Sequence, residues 1–179
     1  MIELSVIRDL VAIFGVIAGF SYYVLTVRNT NRARKTQVVL NLSNQLYSEE
    51  NNRNYVSLLS MQWEDFDDFQ RKYDSTANPD HFAIRWKQWT FYQNLGYMLN
   101  QNIVDVDMVY NMVGGPSAVN FWDKFRPIIM VQRKLYNDPS WFGWWEYLMN
   151  EIQNYREENN LAMSSLELDV YKTEFDIPT

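Results

Sequence analysis

The sequence predicts an all-α protein, with a single N-terminal transmembrane helix that continues into a cytoplasmic bundle of about six helices. Three observations predict it. The stretch Leu10–Val27 holds 18 residues without a charge. Beyond it, apolar residues recur three and four positions apart, as on a helix face. Capping residues, prolines and glycines separate these stretches, and only a short Leu166–Val170 alternation suggests a strand.

The charge-free stretch has the length and composition of a membrane span. Ten of its 18 residues are Leu, Ile, Val or Phe, and it has no polar face. As a helix it extends roughly 27 Å, close to the ~30 Å hydrocarbon core of a bilayer. Its ten large apolar residues favour insertion by about 3–6 kcal/mol. The run is too long for a typical signal peptide and lacks a small-x-small cleavage site, so we expect an uncleaved anchor.

Basic residues follow the span and predict its orientation. One cation, Arg8, precedes it, whereas Arg28, Arg32, Arg34 and Lys35 come directly after it. The positive-inside rule therefore places the N-terminus outside and the rest of the chain in the cytoplasm, at the cell membrane. The spacing of Arg28, Arg32 and Lys35 sets them on one helical face, within reach of anionic lipid headgroups.

Two features of the anchor bear on its contacts. Gly15 and Gly19 form a Gly-x-x-x-Gly pair, which predicts close helix–helix contact in the membrane and a possible homodimer. The alternative is that glycine is simply common in such helices. No proline or glycine interrupts residues 20–47, so one continuous helix should leave the membrane and pack its last turns on the domain.

Charge and composition divide the chain into an anchor with a basic collar (1–35), a helical domain (36–158) and an acidic tail (159–179). Residues 36–179 carry 20 Asp and Glu against 11 Lys and Arg, a net charge near −9. Such a body is a poor match for nucleic acid, which requires cations to neutralise phosphates. The chain has no cysteine, which excludes disulfides, thiolate metal sites and cysteine catalysis.

Local signals predict the helix boundaries in the domain. Ser48 should cap a helix, Trp63–Tyr73 should form a short one, and Asn78 with Pro79 should start a long one that ends near residue 100. A shorter helix from about residue 103 should stop at the glycines 114 and 115. Pro116 should open the next helix and Pro127 should kink it.

Apolar spacing predicts which helices are central. The helix from residue 79 to 100 is apolar on two faces, so it should be surrounded by the others. The last helix carries a stripe of Trp141, Trp144, Trp145, Leu148, Ile152 and Tyr155. We expect Trp86, Trp89, Trp122 and Trp145 to be largely buried. The alternative for the Trp141–Trp145 stretch is a belt that touches lipid.

No residue pattern predicts catalysis or cofactor binding. The single histidine, His81, lies beside Asp80 in the first turn of a predicted helix, where a packing or solvated role is expected. The acidic residues 64, 65, 67 and 68 lack the spacing and turn glycine of a calcium loop, so we interpret them as a helix start. The sequence therefore predicts no metal, no cofactor and no catalytic residue.

Five short motifs, taken in order, resemble the domain-of-unknown-function 4760 family. They are WEDFDDFQRKY (63–73), GYMLNQNIVD (96–105), VYNMVGG (109–115), FWDKFRP (121–127) and WWEYL (144–148). The resemblance covers roughly residues 36–155 and leaves the acidic tail outside. It implies a membrane-anchored helical architecture, and it brings no activity or catalytic residue with it.

These observations favour a non-enzymatic scaffold or regulator, held at the cytoplasmic face of the membrane and acting on an unidentified protein partner. One alternative is an accessory subunit of a larger integral membrane complex, bound through the anchor itself. Another is an enzyme built on carboxylates alone.

Overall fold

The computed structural model describes residues 4–161, which form seven helices and no strand. The helices are α1 (Leu4–Leu46), α2 (Glu49–Leu59), α3 (Phe66–Tyr73), α4 (Pro79–Asn100), α5 (Val106–Met112), α6 (Gly115–Leu135) and α7 (Gly143–Glu158). The predicted all-α class is confirmed. The predicted acidic tail beyond residue 161, with its Leu166–Val170 alternation, lies outside the described residues. The chain divides into two compact units, with the boundary between Val38 and Val39.

Side-chain caps begin three of the helices. The Ser48 hydroxyl accepts a hydrogen bond from the Asn51 backbone N–H at 3.2 Å. The Asn78 side chain accepts one from the His81 backbone N–H at 3.2 Å, with a proline in the first turn of α4. Both predicted starts are confirmed. The predicted helix from residue 63 begins three residues later, because Asp65 adopts an extended conformation and caps α3.

The start of the last helix differs from the prediction. Trp141 does not belong to α7, because Phe142 has a left-handed backbone conformation with φ of 53° and separates it from Gly143. Trp141 lies instead in the turn that precedes the helix. The α6 helix continues through Pro127 as one element, so the kink at this residue stays a prediction.

The aromatic core forms where α4 packs on α7. Gly96 makes this packing close, since a Cβ atom at that position would lie 2.6 Å from the Trp144 carbonyl carbon. At the centre of the core is the indole of Trp145, which is fully buried. Its ring contacts the rings of Trp89, Tyr92, Phe121, Trp122 and Phe142, with centroids 5.0–6.3 Å apart.

The prediction of buried tryptophans is correct for three of the four residues. Trp89, Trp122 and Trp145 are buried. Trp86 is 40% exposed, so its predicted burial is wrong. Its ring stacks on Phe82 and contacts Trp141 and Phe142 at the edge of the core, and these contacts leave part of the indole in solvent.

Candidate functional site

The charge-free stretch lies within α1 and is uncovered by the rest of the chain. Helix α1 is long and apolar enough to cross a membrane, by length and composition, and none of its most apolar 18-residue window is buried. Its large apolar side chains, such as Phe14, Val16 and Phe20, are exposed. Length and composition alone do not separate a lasting anchor from a signal sequence.

The predicted contact glycines and flanking cations all lie on α1. A Cβ atom built on Gly15 or Gly19 would meet no atom within 4 Å, so both stand on an uncovered helix face. At 100° per residue, Arg28, Arg32 and Lys35 lie on one side, and Arg34 lies about 130° away around the helix. The structure thus places three of the four predicted cations together.

A cavity of about 130 Å³ opens where the end of α1 meets α2, α4 and the start of α6. Its walls include the side chains of Tyr47, Asn51, Asn52, Tyr55 and Tyr92. Asn51 is buried, and its amide donates to the Leu46 carbonyl at 2.7 Å. The Tyr55 hydroxyl donates to the Ser117 carbonyl at 2.9 Å. These wall residues have uncharged hydrogen-bonding groups, and the cavity has room for several water molecules.

The wall residues of the cavity include no Asp, Glu, Lys, Arg or His. Burial raises the pKa of the Tyr92 hydroxyl, which contacts the Gln88 side chain. No sequence pattern predicts this cavity, because its walls come from separate elements. One local signal was present: Gly114, with φ of 74°, stands directly before α6 at the cavity edge.

Two cations are buried in the aromatic core. The guanidinium of Arg85 lies 4.5 Å from the Phe69 ring centroid and 5.1 Å from that of Trp89. Its Nε and Nη1 atoms have no hydrogen-bond partner, and burial lowers its pKa to about 10. The Lys124 ammonium lies 4.6 Å from the Trp63 ring centroid, and burial lowers its pKa to about 8. Neither burial was predicted from the sequence, because Arg85 and Lys124 occupy helical positions typical of solvated charges.

The acidic residues near α3 have structural roles. Asp65 caps the helix, and the Asp68 carboxylate binds Lys72 at 2.6 Å and Arg71 at 2.7 Å. The hydrogen bond from Lys72 holds the pKa of Asp68 at about 2. His81 contacts the Tyr73 ring at 6.0 Å. Within residues 4–161, no group of three or more His, Asp or Glu side chains is arranged to hold a metal ion.

These features define a class: an all-α protein that joins an uncovered apolar helix to a helical unit with an aromatic core. The chain belongs to the family described as Domain of unknown function (DUF4760), whose model matches residues 9–152. The resemblance seen in the motifs is therefore confirmed, and the match also includes the apolar stretch of α1. Comparison with curated proteins and with solved structures finds no match.

Proposed function

We propose that this chain is a single-pass membrane protein whose helical unit acts as a non-enzymatic scaffold or regulator at the cytoplasmic membrane face. The observation that carries the proposal is the uncovered apolar surface of α1. A helix that exposes about ten large apolar side chains in water forgoes roughly 1.5–3 kcal/mol for each one that could be buried. Insertion of α1 into the lipid bilayer removes that cost, because the apolar side chains then leave water. The family model supports a lasting anchor, because its match begins at residue 9 and so includes the span.

The orientation in the proposal follows from the cations beside the span. Four Lys and Arg residues follow Leu10–Val27 within eight positions, against one before it. Such a bias retains the basic side in the cytoplasm. The exposed Arg28, Arg32 and Arg34 side chains are available to anionic headgroups.

The natural absence of cysteine allows a direct test of topology in the full chain. Leu4→Cys places a single thiol before the span, and Val56→Cys places one on α2; both positions are exposed. A membrane-impermeant maleimide should label Leu4→Cys in intact cells and Val56→Cys only after permeabilisation. The reverse pattern would refute the orientation. Mass spectrometry of the membrane fraction should find residues 1–27 still attached, whereas their removal would identify a signal sequence.

The structural roles of two carboxylates near α3 favour a scaffold over an enzyme. Asp65 caps a helix and Asp68 binds two cations, so neither is arranged as an acid or base for a substrate. The partner of such a scaffold would be recovered by crosslinking in native membranes followed by identification of the neighbours. Capture of the same protein by a variant that lacks the span would support the helical unit as the binding surface. Loss of capture would favour contact through the anchor.

An accessory subunit of a larger membrane complex is the second candidate, favoured by the uncovered Gly15 and Gly19. Replacing both glycines with Leu should abolish close helix contact in the membrane. Ser21→Leu is the matched control, because it adds the same side chain roughly on the opposite side of α1. Loss of a stoichiometric partner in the glycine variant alone would support this candidate. A halved native mass in that variant would instead identify a homodimer.

A further inference from the structure

The cavity at the end of α1 has hydrogen-bonding groups that the fold itself does not use. We call it the tyrosine cavity, because three of its lining residues are Tyr47, Tyr55 and Tyr92. Tyr47 is 53% exposed and stands at its mouth, whereas Tyr92 is buried. The cavity therefore leads from the surface towards the aromatic core.

Asn51 gives the tyrosine cavity a buried acceptor without a donor. The residue is 7% exposed. Its backbone N–H donates to the Ser48 hydroxyl at 3.2 Å and its Nδ2 donates to the Leu46 carbonyl oxygen at 2.7 Å, so the side chain is held in one orientation. Within residues 4–161, its side-chain oxygen Oδ1 accepts no hydrogen bond. An acceptor left in this state is costly, and because Asn51 lines the cavity, a molecule inside can supply the donor.

Tyr47 supplies a donor at the mouth of the same cavity. In the part of the chain that the structure describes, its hydroxyl forms no hydrogen bond. The hydroxyl stands beside Gly114, where a Cβ atom would come within 2.8 Å of its oxygen, so a glycine at this position leaves the space that it needs. The hydroxyls of Tyr55 and Tyr47 act electrostatically on that of Tyr92, which indicates that the three phenol groups lie close together.

The size and walls of the tyrosine cavity restrict what it can hold. Its volume is about 130 Å³. A cavity of about 150 Å³ accepts benzene, so about five or six non-hydrogen atoms fit. The walls have no Asp, Glu, Lys, Arg or His, so an ion would leave water without a partner of opposite charge. Leu46 and the tyrosine rings offer apolar surface, where water is held poorly and an apolar group displaces it with a gain in affinity.

We propose that the tyrosine cavity binds a small uncharged molecule that carries a primary amide. The amide N–H donates to Asn51 Oδ1, the amide oxygen accepts from the Tyr47 hydroxyl, and the apolar part packs on Leu46. An amide holds a donor and an acceptor on adjacent atoms without a charge, which matches the two unused groups. A carboxylate and a ketone have no donor, and an alcohol would have to serve both groups from one oxygen.

The position of the tyrosine cavity gives such binding a consequence. Leu46 and Tyr47 belong to the end of α1, and Asn51 belongs to α2. A molecule that bonds to both Tyr47 and Asn51 would stabilise the packing of this end of α1 against the helices that follow. Binding does not require the membrane placement proposed above, so a failed binding test would leave that placement untouched.

Saturation-transfer NMR on the full chain in phosphatidylcholine vesicles tests the proposal. Aromatic protons are irradiated, because the protein is rich in them and the lipid has none, and protein-free vesicles are the blank. The probes are isobutyramide, isobutyrate, 3-methyl-2-butanone and isobutyramidinium, which share one size and shape. We expect isobutyramide to bind with a dissociation constant on the order of 1 mM. The other three should bind roughly tenfold or more weakly, because each leaves an unpaired group or an unpaired charge.

A pair of tyrosine variants locates the binding. Tyr47→Phe removes a hydroxyl without a hydrogen-bond partner among residues 4–161, so it should leave the fold intact and weaken isobutyramide by about fivefold. Tyr97→Phe is the matched control, since Tyr97 is similarly exposed at 48% and does not line the cavity, and it should keep the parent affinity.

Four results would overturn the proposal. Absence of transfer to every probe would mean that the cavity holds water only. Equal binding of the ketone would show that Asn51 Oδ1 accepts no hydrogen bond from the molecule, and equal binding of either ion would show that the walls do not exclude charge. Unchanged affinity in Tyr47→Phe would place the amide at another site.

Discussion

Gly96→Ala should separate α4 from α7 and destabilise the helical unit. The added Cβ atom would overlap the Trp144 carbonyl oxygen and lie 2.6 Å from its carbonyl carbon. Carbon atoms in contact prefer about 3.5 Å or more, so the two helices must move apart by about 1 Å. A gap of this size forfeits a quarter to a half of the dispersion attraction across the contact.

The size of the effect follows from two opposing contributions. Forcing an extra methyl into a packed core costs roughly 1–3 kcal/mol, and backbone atoms as the obstacle place this site at the upper end. Alanine recovers about 1 kcal/mol of helix propensity in the folded state. We expect a net loss of about 2 kcal/mol in the free energy of unfolding. For a chain of this length, that lowers the melting temperature by roughly 4–8 °C.

The assay is thermal unfolding of the full chain in detergent, followed by near-ultraviolet circular dichroism of the aromatic core. Gly143→Ala is the matched control, because a Cβ atom at that position meets nothing within 4 Å. The control should melt within a degree or two of the parent, as surface substitutions do. If Gly96→Ala also melts like the parent, the close contact between α4 and α7 is not what holds the core together.

Five further substitutions, in three comparisons, test the helical unit and its charges by chemical denaturation. Trp145→Ala should cost about 3–5 kcal/mol and Trp86→Ala clearly less, since the second indole is partly exposed; equal losses would contradict the aromatic core. Gly114→Ala should cost roughly 1–2 kcal/mol, because Gly114 has a left-handed backbone conformation. The added Cβ would also lie 2.8 Å from the Tyr47 hydroxyl oxygen. Adding Tyr47→Phe to this variant should therefore remove the clash and leave the cost of the backbone conformation. With a folded pKa of about 8 against 10.5, Lys124 binds fewer protons in the folded state, so stability should rise with pH between these values. Lys124→Met should be more stable at neutral pH and lose that rise; an unchanged slope would place the titration elsewhere.

Local signals predicted most helix boundaries because each depends on a few adjacent residues. A serine before two glutamates and an asparagine before a proline satisfy backbone N–H groups at the first turn wherever they occur. The charge-free stretch Leu10–Val27 could be predicted for the same reason, because it consists of adjacent residues. The start of α7 was missed because a left-handed Phe142 has no sequence signature, and a tryptophan at helical spacing extended the predicted stripe by two residues.

The site depends on contacts between distant residues, which periodicity does not reveal. Trp86 lies on an apolar face of α4, but the rings around it leave 40% of its surface exposed. The cavity beside Tyr47 forms only where the end of α1, α2, α4 and the start of α6 come together. Arg85 and Lys124 have the sequence pattern of solvated cations. Their burial depends on the rings of Trp63, Phe69 and Trp89, which come from other parts of the fold or other turns of the helix.

The packing of α4 on α7 also fixes an order of events in folding. Trp145 fills the space beside Trp89 and Tyr92, yet more than 50 residues of chain separate it from them. During synthesis, α4 therefore emerges with an aromatic face that its main neighbour cannot cover until α7 follows. Long-range closure of this kind slows folding and leaves intermediates open to aggregation. Nascent chains halted before residue 143 should hence need a chaperone, and chains that include α7 should be released from it.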